Sequence, residues 1–451
     1  MTDRRRPPEG APRPGAAPLK DIVRKKIDAE LDHMNPGGRS LLLSDDGGRE
    51  LLLSAVETRE VDPQKEKAVT EQLLVEARKA IDELPADQPT LPGFLHNDSL
   101  ALSLVLSQMA EVEGTTAEPG EPGTLRDVPG LDQFEGLDPG WAASVVERLI
   151  SHRVPFVGHT SLQDFRVPIA GDVVTVAMVG DWGTGLATSR RIAEQMAALK
   201  PTLTIHLGDV YYSGTQDEVK SRFLPSWPAG KLGTFVLNSN HEMYAGGEGY
   251  FKVTLVRSPF KDQQKASYFC LSLPGWQIIG LDSAYAAPDF LYQQGKLSDE
   301  QIAWLQAQLA EGEAKGKKSI VLTHHNPVDF KGKRDEGLLA QMLAAAAPEP
   351  FHFWYWAHEH VGARFAPYGP SGRQFLGRCV GHGGVPYAPE KSGPLANGAV
   401  AEWTETQLAG DPEEPRRGKN GFVFLKLDST NKTLEETFID EFGEKKITAV
   451  Y

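Results

Sequence analysis

From about residue 170 onward, short apolar runs rich in β-branched residues alternate with segments of helical period. Five of these runs stop on a residue that can bind a metal ion. Val173–Gly180 stops on Asp181, Leu203–Gly208 on Asp209, and Thr234–Ser239 on Asn240 and His241. Ser319–Thr323 stops on His324 and His325, and Phe351–Ala357 on His358 and His360. Runs of this length, several closed by glycine or small residues, predict buried strands. In open α/β sheets, ligands bind in the crevice at the carboxyl ends of the strands. The pattern therefore predicts one crevice lined by the residues that end the runs.

Between the runs, helices are predicted over residues 187–199, 298–309 and 336–347. The second of these opens on a capping box, Ser298 with Gln301. Residues 266–273 and 276–282 read as an antiparallel pair. Residues 404–420 are polar and read as an exposed loop, residues 421–427 as the last clear strand, and 433–438 as its partner. Interleaved strand-only and strand–helix stretches predict an α/β fold, a mixed β-sandwich flanked by helices rather than a barrel.

The first part of the chain has a different pattern. Residues 1–18 are rich in Pro, Arg and Gly and are expected to be a disordered tail. Residues 19–165 form a mainly helical accessory region. Helices are expected over 19–34, 62–84 and 97–113, and another starts at Asp138–Pro139. A hairpin is expected around 41–53 and a Pro/Gly-rich linker over 118–130. No ligand spacing occurs in this part, so the chemistry is assigned to residues 166–451.

The 451 residues carry a net charge of −14, which argues against a broad nucleic-acid or anionic-membrane surface. It leaves room for a small phosphorylated substrate, because bound metal ions invert the local field. No apolar run is long enough to span a bilayer. Arg4–Arg6 is followed by prolines and not by an apolar segment, and the two cysteines, Cys270 and Cys379, imply no disulfide framework. A reducing, cytoplasmic setting is expected.

Asp181, Asp209, Asn240, His324, His358 and His360 are oxygen and imidazole donors without a thiolate. Such a set suits Fe, Mn, Zn or Co better than a structural zinc site. The donors are too many for one four-coordinate ion, and two ions sharing a carboxylate account for them. Paired ions clamp the attacking and leaving oxygens of phosphoryl transfer.

In this set the sequence resembles the calcineurin-like metallophosphoesterases, and among them the purple acid phosphatases. The matching pieces are Gly180-Asp181-Trp182-Gly183, Gly208-Asp209-Val210-Tyr211-Tyr212, Asn240-His241-Glu242, Val321-Leu322-Thr323-His324 and His358-Glu359-His360. They occur in the family's order over about residues 173–384, where Gly381-His382-Gly383-Gly384 looks like the family's last glycine-rich segment. The resemblance implies a four-layer fold. Asp181, Tyr212 and His360 would hold the first ion, Asp209 would bridge, and Asn240, His324 and His358 would hold the second. His241 would act on substrate and leaving group, with Glu242 orienting it.

Gly183 stands where the wider family has a histidine, and Tyr212 where the purple enzymes place a tyrosinate. This points to iron paired with Fe, Zn or Mn. Two positions depart from the family: Ser239 and Ala357 each replace a glycine. Trp182 and Tyr211 read either as core aromatics or as pocket walls. His206 reads as structural, His325 as hydrogen-bonded within the pocket, and His382 as lining the site or satisfying a loop.

The expected activity is phosphate-ester hydrolysis by a metal-bound hydroxide, most like an acid phosphatase. The alternatives are a phosphodiesterase acting on a cyclic nucleotide or other diester, and an interaction protein with a weakly catalytic metal domain. The accessory region is a candidate contact for a protein partner.

Overall fold

The computed structural model describes residues 151 and 153–451, apart from 289–291, 329–335, 348–349, 370–373, 388, 390–391, 396–397 and 412–416. The tail, helices, hairpin and linker expected over residues 1–150 lie outside the described residues. Among those described, no helix is long and apolar enough to cross a membrane.

Two sheets carry the fold. The six-stranded sheet has the order Lys445–Val450 (β15), Thr433–Asp440 (β14), Gly421–Asp428 (β13), Val173–Val179 (β2), Leu203–His206 (β3) and Gly233–Val236 (β4). Strands β2, β3 and β4 run parallel, with Val176 opposite Leu203 and Leu203 opposite Gly233. The nine-stranded sheet has the order Arg166–Pro168 (β1), Phe269–Ser272 (β5), Trp276–Gly280 (β6), Lys318–Leu322 (β7), Phe353–Trp356 (β8), Leu376–Val380 (β10), Gly362–Phe365 (β9), Val400–Thr404 (β12) and Gly393–Pro394 (β11). Here β6, β7, β8 and β10 are parallel, while β5 pairs antiparallel with β6.

The parallel strands are apolar along nearly their whole length because both faces are covered. Val176, Met178 and Ile205 of one sheet and Leu271, Ile278, Ile320 and Tyr355 of the other belong to one buried cluster. Helix α1 (Ala187–Ala198) buries Thr188, Ser189, Ile192, Ala193 and Met196, one stripe at helical spacing. The short helix α2 (Asn240–Tyr244) follows β4, and α3 (Asp299–Ala314) and α4 (Glu336–Ala345) flank β7 in the chain. The mixed sandwich with flanking helices is therefore present.

Several elements differ from the sequence expectation. Ser298 does cap α3, accepting from the Gln301 amide, but the Gln301 side chain does not close a capping box. It turns to the Asp282 backbone instead, accepting from N–H and donating to C=O at 3.0 Å each. The stretch at 404–420 is not all exposed. Glu405, Arg417 and Asn420 are buried, and Arg417 pairs with the buried Glu441 at 2.7 Å. Residues 153–165, expected to close the accessory region, pack on the sandwich: Phe156 stacks on Tyr268, and the Val154 amide donates to Gly246.

Candidate metal centre

The parallel strands of both sheets deliver their ends to one place. Asp181 follows β2, Asp209 follows β3, Asn240 follows β4, His324 follows β7 and His358 follows β8. Two groups of donor atoms converge there, each within 4.8 Å: Asp209 with His324 and His358, and Asp181 with Asp209 and His360. Asp209 belongs to both.

The backbone is strained at these ends. Asp181, Asp209 and His358 have φ of 54°, 78° and 68°, a left-handed conformation that L-residues avoid. Such strain costs on the order of 1–3 kcal/mol per residue and persists where the surroundings impose it, commonly at functional sites. Gly208 makes the approach possible: at φ +104°, a Cβ there would stand 2.8 Å from the His324 ring. Gly180 does the same for Ala357, whose Cβ would lie 2.3 Å from one on residue 180. A glycine on this facing strand end thus accommodates the methyl that replaces the family's glycine.

Protons can be placed on the imidazoles. His324 Nδ1 lies 2.9 Å from the Leu207 carbonyl, which only accepts, so Nδ1 carries the hydrogen and Nε2 the lone pair. Burial pushes its pKa down to about 3, leaving the ring neutral. Nε2 then faces Asn240 Oδ1 at 2.8 Å and Asp209 Oδ1 at 3.2 Å. The Asn240 amide donates from Nδ2 to the Tyr244 hydroxyl, which fixes its oxygen inward. Three lone pairs therefore converge with no proton between them, an arrangement that a cation satisfies. Among the described residues, His358 Nε2, which is buried, has no hydrogen-bond partner, as a metal ligand would not.

The carboxylates show the same demand for positive charge. Burial, followed by the charge of Asp209, raises the pKa of Asp181 well above the carboxylate range. Burial also opposes charge on Asp209, whose pKa falls well below that range only where positive charge stands on the His241 and His324 side. Two buried carboxylates this close resist ionising together unless a cation joins them.

The phenol among these donors belongs to Tyr211. Its hydroxyl lies 2.9 Å from both Asp181 Oδ1 and Asp209 Oδ2 and 3.1 Å from His360 Nε2. The sequence had put Tyr212 in this place. Tyr212 is instead held through its amide by Glu218, and its ring lies under the Arg222 guanidinium. Its carbonyl takes the proton of His241 Nδ1, so His241 Nε2 lies on the side of Asp209, 3.7 Å from Oδ2.

The expectation that Glu242 orients His241 gives way to this carbonyl. The Glu242 carboxylate accepts from the amides of Asp209 and Val210 at 3.2 and 3.1 Å, fixing the loop that carries Asp209. Burial and the nearby Asp209 raise its pKa to about 8. Ser239 caps α2 and sets its hydroxyl within reach of both Asp209 and Glu242. No spacing in the sequence signals these roles for Tyr211 and Ser239.

Trp182, His206 and His382 are packed in the interior. Trp182 is buried, donates to the Ser189 carbonyl at 2.7 Å and meets the His206 ring edge-on. His206 sits among Trp182, Phe223 and Trp227. His382 is buried near the Tyr387 and Phe438 rings.

The model of the family described as Calcineurin-like phosphoesterase matches residues 174–362, which contain all of these donors. The chain carries a calcineurin-like phosphoesterase domain. Residues 174–362 are thus a metal-dependent phosphoester hydrolase domain of a family that uses two metal ions. Two solved structures resemble the chain more distantly. One is titled "GAP50 the anchor in the inner membrane complex of Plasmodium", with 13% identity, TM-score 0.43, and coverage of 61% of this chain and 88% of that one. The other is a dimetal phosphatase from Danio rerio, with 12% identity, TM-score 0.39, and coverage of 61% and 98%. No curated protein sequence matches the chain. The phosphoesterase match begins at Val174, so the packed segment at 153–165 lies upstream of it.

Proposed function

We propose that this phosphoesterase domain hydrolyses small phosphate monoesters in the manner of an acid phosphatase. Asp181, Asp209 and His360 would hold one ion, and Asp209, Asn240, His324 and His358 the other. The observation that carries this reading is Asp209, shared by two donor groups, together with the unprotonated face of His324 turned toward it. Two ions held there would lower the pKa of a bound water and neutralise charge on phosphoryl oxygens.

The chain's own residues do the rest. His241, its Nδ1 proton committed to the Tyr212 carbonyl, presents Nε2 to the site and can carry a proton to a leaving oxygen. Glu242 and Ser239 keep Asp209 in place. Tyr211 is the candidate phenolate for the first ion. Burial, then the charges of Asp181 and Asp209, raise its pKa well above 10, so ionisation requires a strongly charged cation beside it. That favours ferric iron in the first position with Fe, Zn or Mn in the second. The free, buried thiols of Cys270 and Cys379 fit a reducing, cytoplasmic setting.

Metal analysis of the purified chain, combined with a screen of phosphate mono- and diesters, tests the reading. Two ions per chain and faster turnover of monoesters are expected. A preference for diesters would move the assignment to a phosphodiesterase. Metal binding without turnover of any ester would leave an interaction domain.

A further inference from the structure

The loop segment 292–296 meets Ser283, where the Lys296 amide donates to the Ser283 carbonyl at 2.9 Å. From there it reaches the Asn240, His324 and His358 side of the centre. His325 Nε2 lies 2.7 Å from the Tyr292 carbonyl, and its Nδ1 lies 2.8 Å from Ser283 Oγ. A carbonyl only accepts, so Nε2 carries the proton and Nδ1 accepts from the serine. With both nitrogens engaged, His325 acts as a pin for the loop. Its ring stands 4.8 Å from that of His358 and 5.1 Å from that of His324. The next loop residue, Gln293, donates at 3.0 Å to the Tyr244 hydroxyl that also receives the Asn240 amide.

The outer side of the loop is held from upstream of the family's match. Arg153 Nε donates to the Tyr292 hydroxyl at 2.9 Å, and the guanidinium lies 5.1 Å and 5.4 Å from the centroids of the Tyr292 and Tyr285 rings. Beside it, the Tyr285 hydroxyl donates to the Val154 carbonyl at 2.8 Å, and the Val154 amide donates to Gly246, just beyond α2. Tyr292 has φ of 53°, unfavourable for an aromatic residue, and is buried. A backbone in that conformation needs holding from its surroundings.

We propose that Arg153 is a positioning residue that latches segment 292–296 beside the metal centre and thereby sets substrate affinity and ester selectivity. The proposal rests on the phosphoesterase reading for its kinetic consequence but not for the latch itself. A residue outside the matched domain would then tune the site through Tyr292 and His325 without touching a metal ligand.

The test compares full-length wild type, Arg153→Ala and Arg153→Lys. The measurements are metal content, KM and kcat on the best ester found in the screen, and hydrogen exchange of the amides at 292–296. Arg153→Ala is expected to keep its metals and to hold kcat within about twofold. KM should rise on the order of tenfold, the loss typical of a cation–π contact plus a hydrogen bond, and the loop amides should exchange faster. Arg153→Lys keeps a charge near the rings but loses the fixed Nε–H geometry, so it should fall between. Unchanged exchange and unchanged KM in Arg153→Ala would overturn the latch, even in an active enzyme. Equal falls in metal content and kcat with KM unchanged would also overturn it, by showing a general packing role. If the wild type hydrolyses no ester while Arg153→Ala still loosens 292–296, the latch stands and the phosphoesterase reading fails.

Discussion

Replacing His206 should make the fold more tolerant of acid. Its ring is fully buried among Trp182, Phe223 and Trp227, and neither nitrogen has a hydrogen-bond partner among the described residues. Burial lowers its pKa from 6.5 to about 3, with Asp209 opposing the shift. In the unfolded chain the imidazole binds its proton near pH 6.5, and in the folded chain only near pH 3. The unfolded state therefore binds more protons throughout that window. The stability is fully present above pH 6.5 and is lost as pH falls toward 3.

Between pH 7.5 and 5.0 the loss from this one histidine is about 2 kcal/mol, from about 1.36 kcal/mol per pH unit over the part of the window crossed. The figure depends mainly on the unfolded value, because at pH 5.0 the folded ring is still neutral. The assay is urea unfolding of wild type, His206→Phe and His206→Gln at both pH values. Phe fits the aromatic surroundings and Gln keeps polarity, so their absolute stabilities will differ. Both should nevertheless lose about 2 kcal/mol less than wild type between the two pH values, since neither titrates. Carboxylates and the other histidines cancel in that comparison. An identical pH loss in all three proteins would show that folded His206 takes up a proton readily, and the argument from its burial would fail.

Two further expectations concern the centre. Iron-loaded protein should absorb visible light through a phenolate, and Tyr211→Phe should bleach it while Tyr212→Phe leaves the band; absorbance spectra of the two variants decide between the adjacent tyrosines, and loss of the band only in Tyr212→Phe would restore the assignment read from the sequence. His241→Ala should lower kcat by ~10²–10⁴-fold with metal content retained, and less for leaving groups of low pKa. A uniform loss across leaving groups in steady-state kinetics would remove its role as an acid.

The strand ends were legible in the sequence because each joins two strong signals, a buried apolar run and an abrupt donor. Asp181, Asp209, Asn240, His324, His358 and His360 all come together as their positions predict. The tyrosine was not legible. Tyr211 and Tyr212 are adjacent, and which ring enters the site depends on how the chain turns after β3, information that no residue type carries. Glu242 is similar: its neighbour His241 suggested a partner, but the free amides of Asp209 and Val210 claim its oxygens. Strands β9, β11 and β12 lacked a readable period because they are short or lie at the sheet edge. The segment carrying Arg153 has no period at all. Its contacts are individual side chains against loops, and only the folded chain brings them together.

A two-ion centre joined by Asp209 makes the metal stoichiometry of Asp209→Asn against wild type the decisive measurement. The exchange keeps size and one oxygen but removes the charge that both donor groups share. Elemental analysis after gel filtration should give two ions per wild-type chain and loss of the pair in the variant, with the circular dichroism of the fold preserved. A folded Asp209→Asn protein that keeps two ions and normal turnover would show that Asp209 does not join the ions.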